Sequence, residues 1–181
     1  ATALVARILE IMEYFGCPWA LENPRTGLLK RQPLMQGLPY SRRYPEVGVK
    51  LCHGSPIDEQ EFDYIFAPEQ AYALLPYWDA LDPVTFIAHS HLCRVFALTP
   101  NTVEEIARKR FTVDPQRKFI ISVGSVGQPR DYDNRSSYTV FDTDSREFEF
   151  KRVEYDIETS ANKIFDARLE RNFGNRLFIG V

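Results

Sequence analysis

Apolar side chains recur along this chain first at helical spacing and then in compact runs, and the change of rhythm marks out its elements. In the first turns, ALVARILEIMEYF, the apolar positions Leu4, Ile8, Ile11, Met12 and Phe15 fall on one face of a helix over 3–15. Gly16, Pro18 and Trp19 end it, and Trp19-Ala20-Leu21 reads as a short buried strand before a polar loop at 22–27. Helical turns over 28–35 are interrupted at Pro33. Gly37, Pro39 and Pro45 mark 36–46 as a connector.

Beyond this point the rhythm is that of strands. VGVKLCH is a compact apolar run that stops at Gly54-Ser55-Pro56, as a buried strand entering a loop would. Residues 84–88, 93–98 and 118–123 repeat the pattern, and the first of these runs into the polar turn His89-Ser90-His91. Residues 137–142 and 147–155 alternate apolar with polar positions around Thr143-Asp144-Ser145, which predicts a hairpin. Helical patterning returns at 68–78, where Pro68 suits a helix start, and at 157–169. Strands that end in loops, with helices between and after them, predict an α/β or α+β fold.

Composition narrows the class. A chain of 181 residues with 44% hydrophobic and 26% charged positions has enough material for one domain with a real core. No apolar run approaches the roughly 20 residues that span a bilayer, so no membrane helix is expected. The net charge of −3 gives little long-range attraction to nucleic acid or anionic lipid, and the basic clusters at Lys30-Arg31, Arg42-Arg43 and 108–110 read as solvated surface. Three cysteines without a C-x-x-C pair cannot form a complete disulfide framework, so a reducing cytoplasm is the expected location.

The chemistry concentrates in the histidines. All three in the chain, His53, His89 and His91, lie in loops at the ends of predicted buried strands. Neutral imidazole is the commonest metal ligand, and Gly54 and Ser90 leave room for an ion to approach. On spacing alone, a metal site and a set of hydrogen-bonded structural histidines stand level. Cys52 and Cys93 adjoin the histidines, but neighbours along a strand point to opposite faces, so both read as core.

Leu51-Cys52-His53-Gly54-Ser55-Pro56, Ala88-His89-Ser90-His91 and Ser122-Val123-Gly124-Ser125-Val126-Gly127-Gln128-Pro129-Arg130-Asp131 carry a family resemblance. In order and spacing they resemble the later motifs of calcineurin-like metallophosphoesterases, most closely their small bacterial and archaeal phosphodiesterase branch. The likeness spans about 48–181 and includes the hairpin over 137–156. It implies part of that family's β-sandwich with flanking helices. It also implies hydrolysis of phosphomonoesters or phosphodiesters at a pair of divalent ions (manganese, iron, zinc or nickel) that share a bridging hydroxide. His53 and His89 would bind the second ion and His91 the first, with Ser125, Gln128 and Arg130 on a loop at the substrate.

The sequence departs from that family ahead of these motifs. Its Asp-x-His, Gly-Asp and Gly-Asn-His-Asp motifs are absent, and no histidine precedes His53. The expectation is a C-terminal half-domain over 41–181 without the N-terminal half of the fold. Asp58, Asp131 or Asp133 would then be the substitute carboxylate ligands. The segment 1–40 is set apart by a second resemblance. The run from Trp19 to Lys30, with Glu22-Asn23, is similar to the Glu-Asn motif region of cytosine-C5 DNA methyltransferases. The Pro-Cys-Gln and donor-binding glycines of that family are missing, and Cys17-Pro18 has the reverse order. Three readings follow: a metal-dependent phosphoesterase acting on a small phosphate ester, a truncated or recombined metal-binding remnant without turnover, and a nucleic-acid-contacting methyltransferase fragment. A half-fold would expose a sheet edge or face, which self-association into a homo-oligomer would cover.

Overall fold

The structure, a computed structural model, describes residues 39–181. The helix expected at 3–15, the strand at 19–21, the methyltransferase-like motif at 22–27 and the turns at 28–35 lie outside those residues.

Among the described residues nine strands form two sheets. The large sheet has the order β1 (Ser41–Tyr44), β2 (Val49–Cys52), β3 (Val84–Ile87), β7 (Lys118–Val123), β4 (Cys93–Leu98), β5 (Val103–Glu105). Its centre is parallel, β2 to β3 to β7, whereas β1, β4 and β5 join antiparallel. The small sheet is antiparallel, with β9 (Glu147–Val153) between β6 (Arg110–Thr112) and β8 (Ser136–Phe141). The hairpin β8–β9 turns at 143–145, as the alternation predicts.

β3 and β7 are buried at successive positions and not at alternate ones, because both their faces are covered. Phe119 and Ile121 of β7 pack with Val84, Phe86, Val95 and Phe148 between the two sheets. Ile120 points the other way, toward Ile87, Phe96, Leu98 and the helical segment that supplies Ala71, Leu74 and Leu81. Phe148 is the hinge of the inter-sheet core, with its ring 5.1 Å from Phe111 and 4.7 Å from Phe150. Arg146 adds a polar tie, donating from Nη1 to the Val47 carbonyl at 2.6 Å.

Three short strands and one helix escape the sequence pattern. β1 lies in the stretch read as a connector, and β5 and β6, of three residues each, are too short to show a period. The helix expected over 68–78 is two pieces. These are α1 (Pro68–Tyr72) and a 3-10 segment (Leu75–Ala80) kinked at Tyr77. Pro76 explains the break, because its ring lacks an N–H and would clash with the Tyr72 carbonyl in a continuous helix. The C-terminal helical pattern is realised as α2 (Ile157–Asp166), capped by Asp156, which accepts from the Thr159 amide at 2.8 Å. A second helix, α3 (Arg171–Ile179), follows it. Gly174 hides α3 from propensity, and packing demands it, since a Cβ there would lie 2.4 Å from the Phe165 ring of α2. Among the described residues no helix is long and apolar enough to cross a membrane.

Removing the inter-sheet ring tests this account. Phe148→Ala should cost about 3–5 kcal/mol of unfolding free energy in a denaturant titration. A loss below about 1 kcal/mol would mean that the two sheets do not depend on this contact.

Candidate metal centre

Chain direction builds the site. β2, β3 and β7 run parallel, so their carboxyl ends leave the large sheet along one edge, where open α/β sheets hold their ligands. His53 follows β2, His89 and His91 follow β3, and the glycine loop at 124–131 follows β7. A backbone hydrogen bond from the Ala88 amide to the His53 carbonyl at 2.9 Å prolongs the β2–β3 pairing to the rim.

The structure brings His53 and His89 into direct contact. His53 Nε2 lies 2.6 Å from His89 Nδ1, with ring centroids 4.3 Å apart. One nitrogen donates and the other accepts, so both are aimed at the same gap, where a metal ion would replace the shared proton. Two imidazoles on a tetrahedral ion place their nitrogens about 3.3 Å apart, so an opening of less than about 1 Å would seat one. The donor set therefore fits a divalent ion that accepts nitrogen ligands.

His91 is set differently. Its Nδ1 is 2.7 Å from the Gln128 backbone oxygen, which can only accept, so Nδ1 carries the proton and Nε2 the lone pair. That is the arrangement in which a carbonyl behind the ring orients a ligating histidine. Both His89 (φ 58°) and His91 (φ 62°) have left-handed backbones, and Ser90 between them is buried with its hydroxyl 2.9 Å from that of Ser122. Two non-glycine residues held in this region within one turn are strain of the kind found at functional sites.

The glycine loop is fixed from below. Gly124 (φ 80°) has Cys93 Sγ 2.6 Å from where a Cβ would stand, so only glycine fits there. The Gln128 amide donates to Ser125 Oγ at 3.0 Å, Arg130 Nη2 donates to Gln128 Oε1 at 3.0 Å, and the Arg130 amide donates to the His91 carbonyl at 3.1 Å. Ser125, Gln128 and Arg130 thus belong to one loop bonded to the second histidine turn.

Two of the three candidate aspartates are engaged by arginines. The Asp131 carboxylate is ion-paired with Arg152, Asp133 is gripped by Arg135 at 2.6 Å, and Asp58 is exposed. Among the described residues no group of three or more histidine, cysteine, aspartate or glutamate side chains stands ready to hold an ion. The sequence reading missed Phe62 and Tyr64. The Tyr64 ring is stacked on His89 at 3.9 Å between centroids, and Phe62 sets its edge against His53 at 5.0 Å. An aromatic-rich stretch soon after His53 was the only signal.

The comparisons with known proteins agree with this architecture. No protein-family model matches the sequence. A metallophosphoesterase from Sphaerobacter thermophilus, solved by crystallography, is similar with a TM-score of 0.69 and 25% identity, over 90% of this chain and 71% of that one. A hypothetical protein from Pyrococcus horikoshii shares the fold with a TM-score of 0.58 and 17% identity, over 82% of this chain and 53% of that one. An uncharacterized protein of Methanocaldococcus jannaschii is 35% identical over 132 residues, which are 73% of this chain. The chain spans about half the length of that curated relative, 51% of it. The fold is metallophosphoesterase-like, present in part.

The arginine grip below the glycine loop gives a measurable pH dependence. Hydrogen bonds from Arg135 hold the Asp133 carboxyl down at about 2. A depressed carboxylate stabilises the fold above its ordinary value of about 4, and that contribution is lost as pH falls through the folded value. Thermal stability should therefore drop between about pH 4 and pH 2, and Asp133→Asn should flatten the drop over that window. An identical acid profile in the variant would remove Asp133 from the account.

Proposed function

We propose that this chain carries the histidine side of a divalent-metal centre for the hydrolysis of phosphate esters. The single observation behind the reading is the meeting of His53 Nε2 and His89 Nδ1 at 2.6 Å on the carboxyl edge of a metallophosphoesterase-like sheet. His53 and His89 would hold one ion, and His91, with its proton kept on Nδ1 by Gln128, offers Nε2 to another. Imidazole donors suit zinc, iron or nickel, and manganese binds the same donors more weakly. Bound there, the ions would lower the pKa of coordinated water and offset the charge of the phosphate.

The chain's own residues supply orientation and charge. The Arg130 guanidinium, steadied by Gln128 Oε1, places a cation on the loop bonded to His91, and it would receive the anionic oxygens of a small phosphomonoester or phosphodiester. Ser125 shapes that loop by accepting from the Gln128 amide, which leaves its own hydroxyl hydrogen to donate. A second reading, metal binding without turnover, is favoured by the missing third donor beside the pair among the described residues.

The two readings separate in one comparison. The purified chain is assayed with added manganese for metal binding and for hydrolysis of bis-p-nitrophenyl phosphate, beside His89→Ala and His91→Ala. Both variants should lose metal affinity, and any turnover should be weak and vanish in each. Every tenfold loss corresponds to about 1.4 kcal/mol of barrier, so a few absent ligands suffice to erase detectable activity. Metal binding without turnover would select the second reading. Turnover unchanged in both variants would place the activity at a different centre and sink the proposal.

A further inference from the structure

The loop at 54–66 is built more firmly than a connector from β2 to α1 requires. At its start Gly54 lies against the returning chain, where a Cβ would stand 2.8 Å from the Asp63 carbonyl and 2.9 Å from the Phe62 carbonyl carbon. The Ser55 amide donates to that Asp63 carbonyl at 2.9 Å, which closes the loop on itself. Lys50, buried at 4% exposure, donates to the Pro56 carbonyl at 2.9 Å and pairs with Glu59 at 2.6 Å. Ile65, at 3% exposure, pins the far end in the core beneath α1.

What this fastening presents is a row of aromatic rings. Tyr40 faces Phe62 at 5.8 Å, Phe62 sets its edge on His53 at 5.0 Å, and Tyr64 lies over His89 at 3.9 Å with 24° between planes. Phe66 continues the row at 6.2 Å from Tyr64. Neither Phe62 nor Tyr64 belongs to either hydrophobic core, and Tyr64 is 45% exposed. Packing alone does not account for them. Phe62 even adopts a left-handed backbone (φ 56°), a costly conformation for a bulky residue that its surroundings must over-determine.

We infer that Tyr64 and Phe62 are positioning residues that form an aromatic collar setting the ring planes of His89 and His53. The inference rests on the reading of that pair as metal ligands. An imidazole is free to turn about its χ2 bond, and half a turn replaces Nδ1 by a carbon. Tyr64 stacked on one face of His89 holds the ring in the plane from which Nδ1 meets His53 Nε2, and that contact selects the nitrogen. The edge of Phe62 does the same for His53. Ligation to a cation leaves the imidazole more positive, and an electron-rich phenol face then attracts it more strongly.

The test uses the full chain and Mn²⁺ titrated by calorimetry, together with the NMR signals of the His89 ring in the metal-free protein. Tyr64→Ala and Tyr64→Leu should bind Mn²⁺ about three- to tenfold more weakly, while Tyr64→Phe, which keeps the ring, restores the affinity. Without metal, the His89 ring protons should be shifted upfield in the wild type and in Tyr64→Phe, and should return toward unstacked values in Tyr64→Leu. If Tyr64→Ala does not fold, the leucine and phenylalanine variants decide. His89→Ala is the control for the metal reading. Should it bind Mn²⁺ as the wild type does, that reading fails, and the ring signals alone judge the collar. Should His89→Ala lose binding while Tyr64→Leu keeps wild-type affinity and the wild-type His89 ring signals, the collar is overturned and the metal reading stands.

Discussion

Parallel strands that share a sheet must deliver their carboxyl ends to the same edge, and here three of them do so side by side. β2, β3 and β7 are adjacent and co-directional, so whatever follows each strand is brought to one rim regardless of its separation in sequence. His53, His89 and Gly124 stand near one another for that reason. The antiparallel β4 begins at the same rim, which places Cys93 beneath the glycine loop and makes Gly124 the only tolerable residue there.

Two closely spaced points of local strain lie at this rim. His89 and His91 occupy left-handed backbone conformations on either side of buried Ser90, and the fold holds them by the Ser90–Ser122 contact and by Gln128 behind the His91 ring. A turn that only reversed the chain would relax with glycine at those positions. Keeping imidazoles there orients nitrogen lone pairs, which is chemistry and not chain geometry. Below the rim, Arg152 joins Asp131, the Asp133 and Arg135 carbonyls and Cys93 into one half-buried knot. The loop bearing Arg130 is thereby anchored to the small sheet, and the two sheets cannot separate without disturbing the site.

The sequence alone carried the strands that matter. Compact apolar runs at 49–52, 84–87, 93–98 and 118–123 announced a sheet buried on both faces, and the alternation on either side of 143–145 announced the hairpin. It also picked out all three histidines and the glycine loop as neighbours of strand ends, because a buried strand must stop where polar residues begin. The short edge strands β1, β5 and β6 stayed hidden, since three or four residues cannot display a period. Pro76 breaks its helix by a local clash with the Tyr72 carbonyl, whereas Gly174 answers to the Phe165 ring of the neighbouring helix, which no periodicity shows.

Tertiary structure alone decided how the histidines are used. Strand order set which loops meet, so His53 pairs with His89 while His91 turns to Gln128, the grouping that the family resemblance implies and that spacing by itself left open. It also paired Asp131 and Asp133 with arginines, and it folded 54–66 back so that Tyr64 and Phe62 lie against the pair. Periodicity reports which face of an element is buried. Which atoms meet across elements is set by register and by chain reversal, and those are properties of the whole packed sheet.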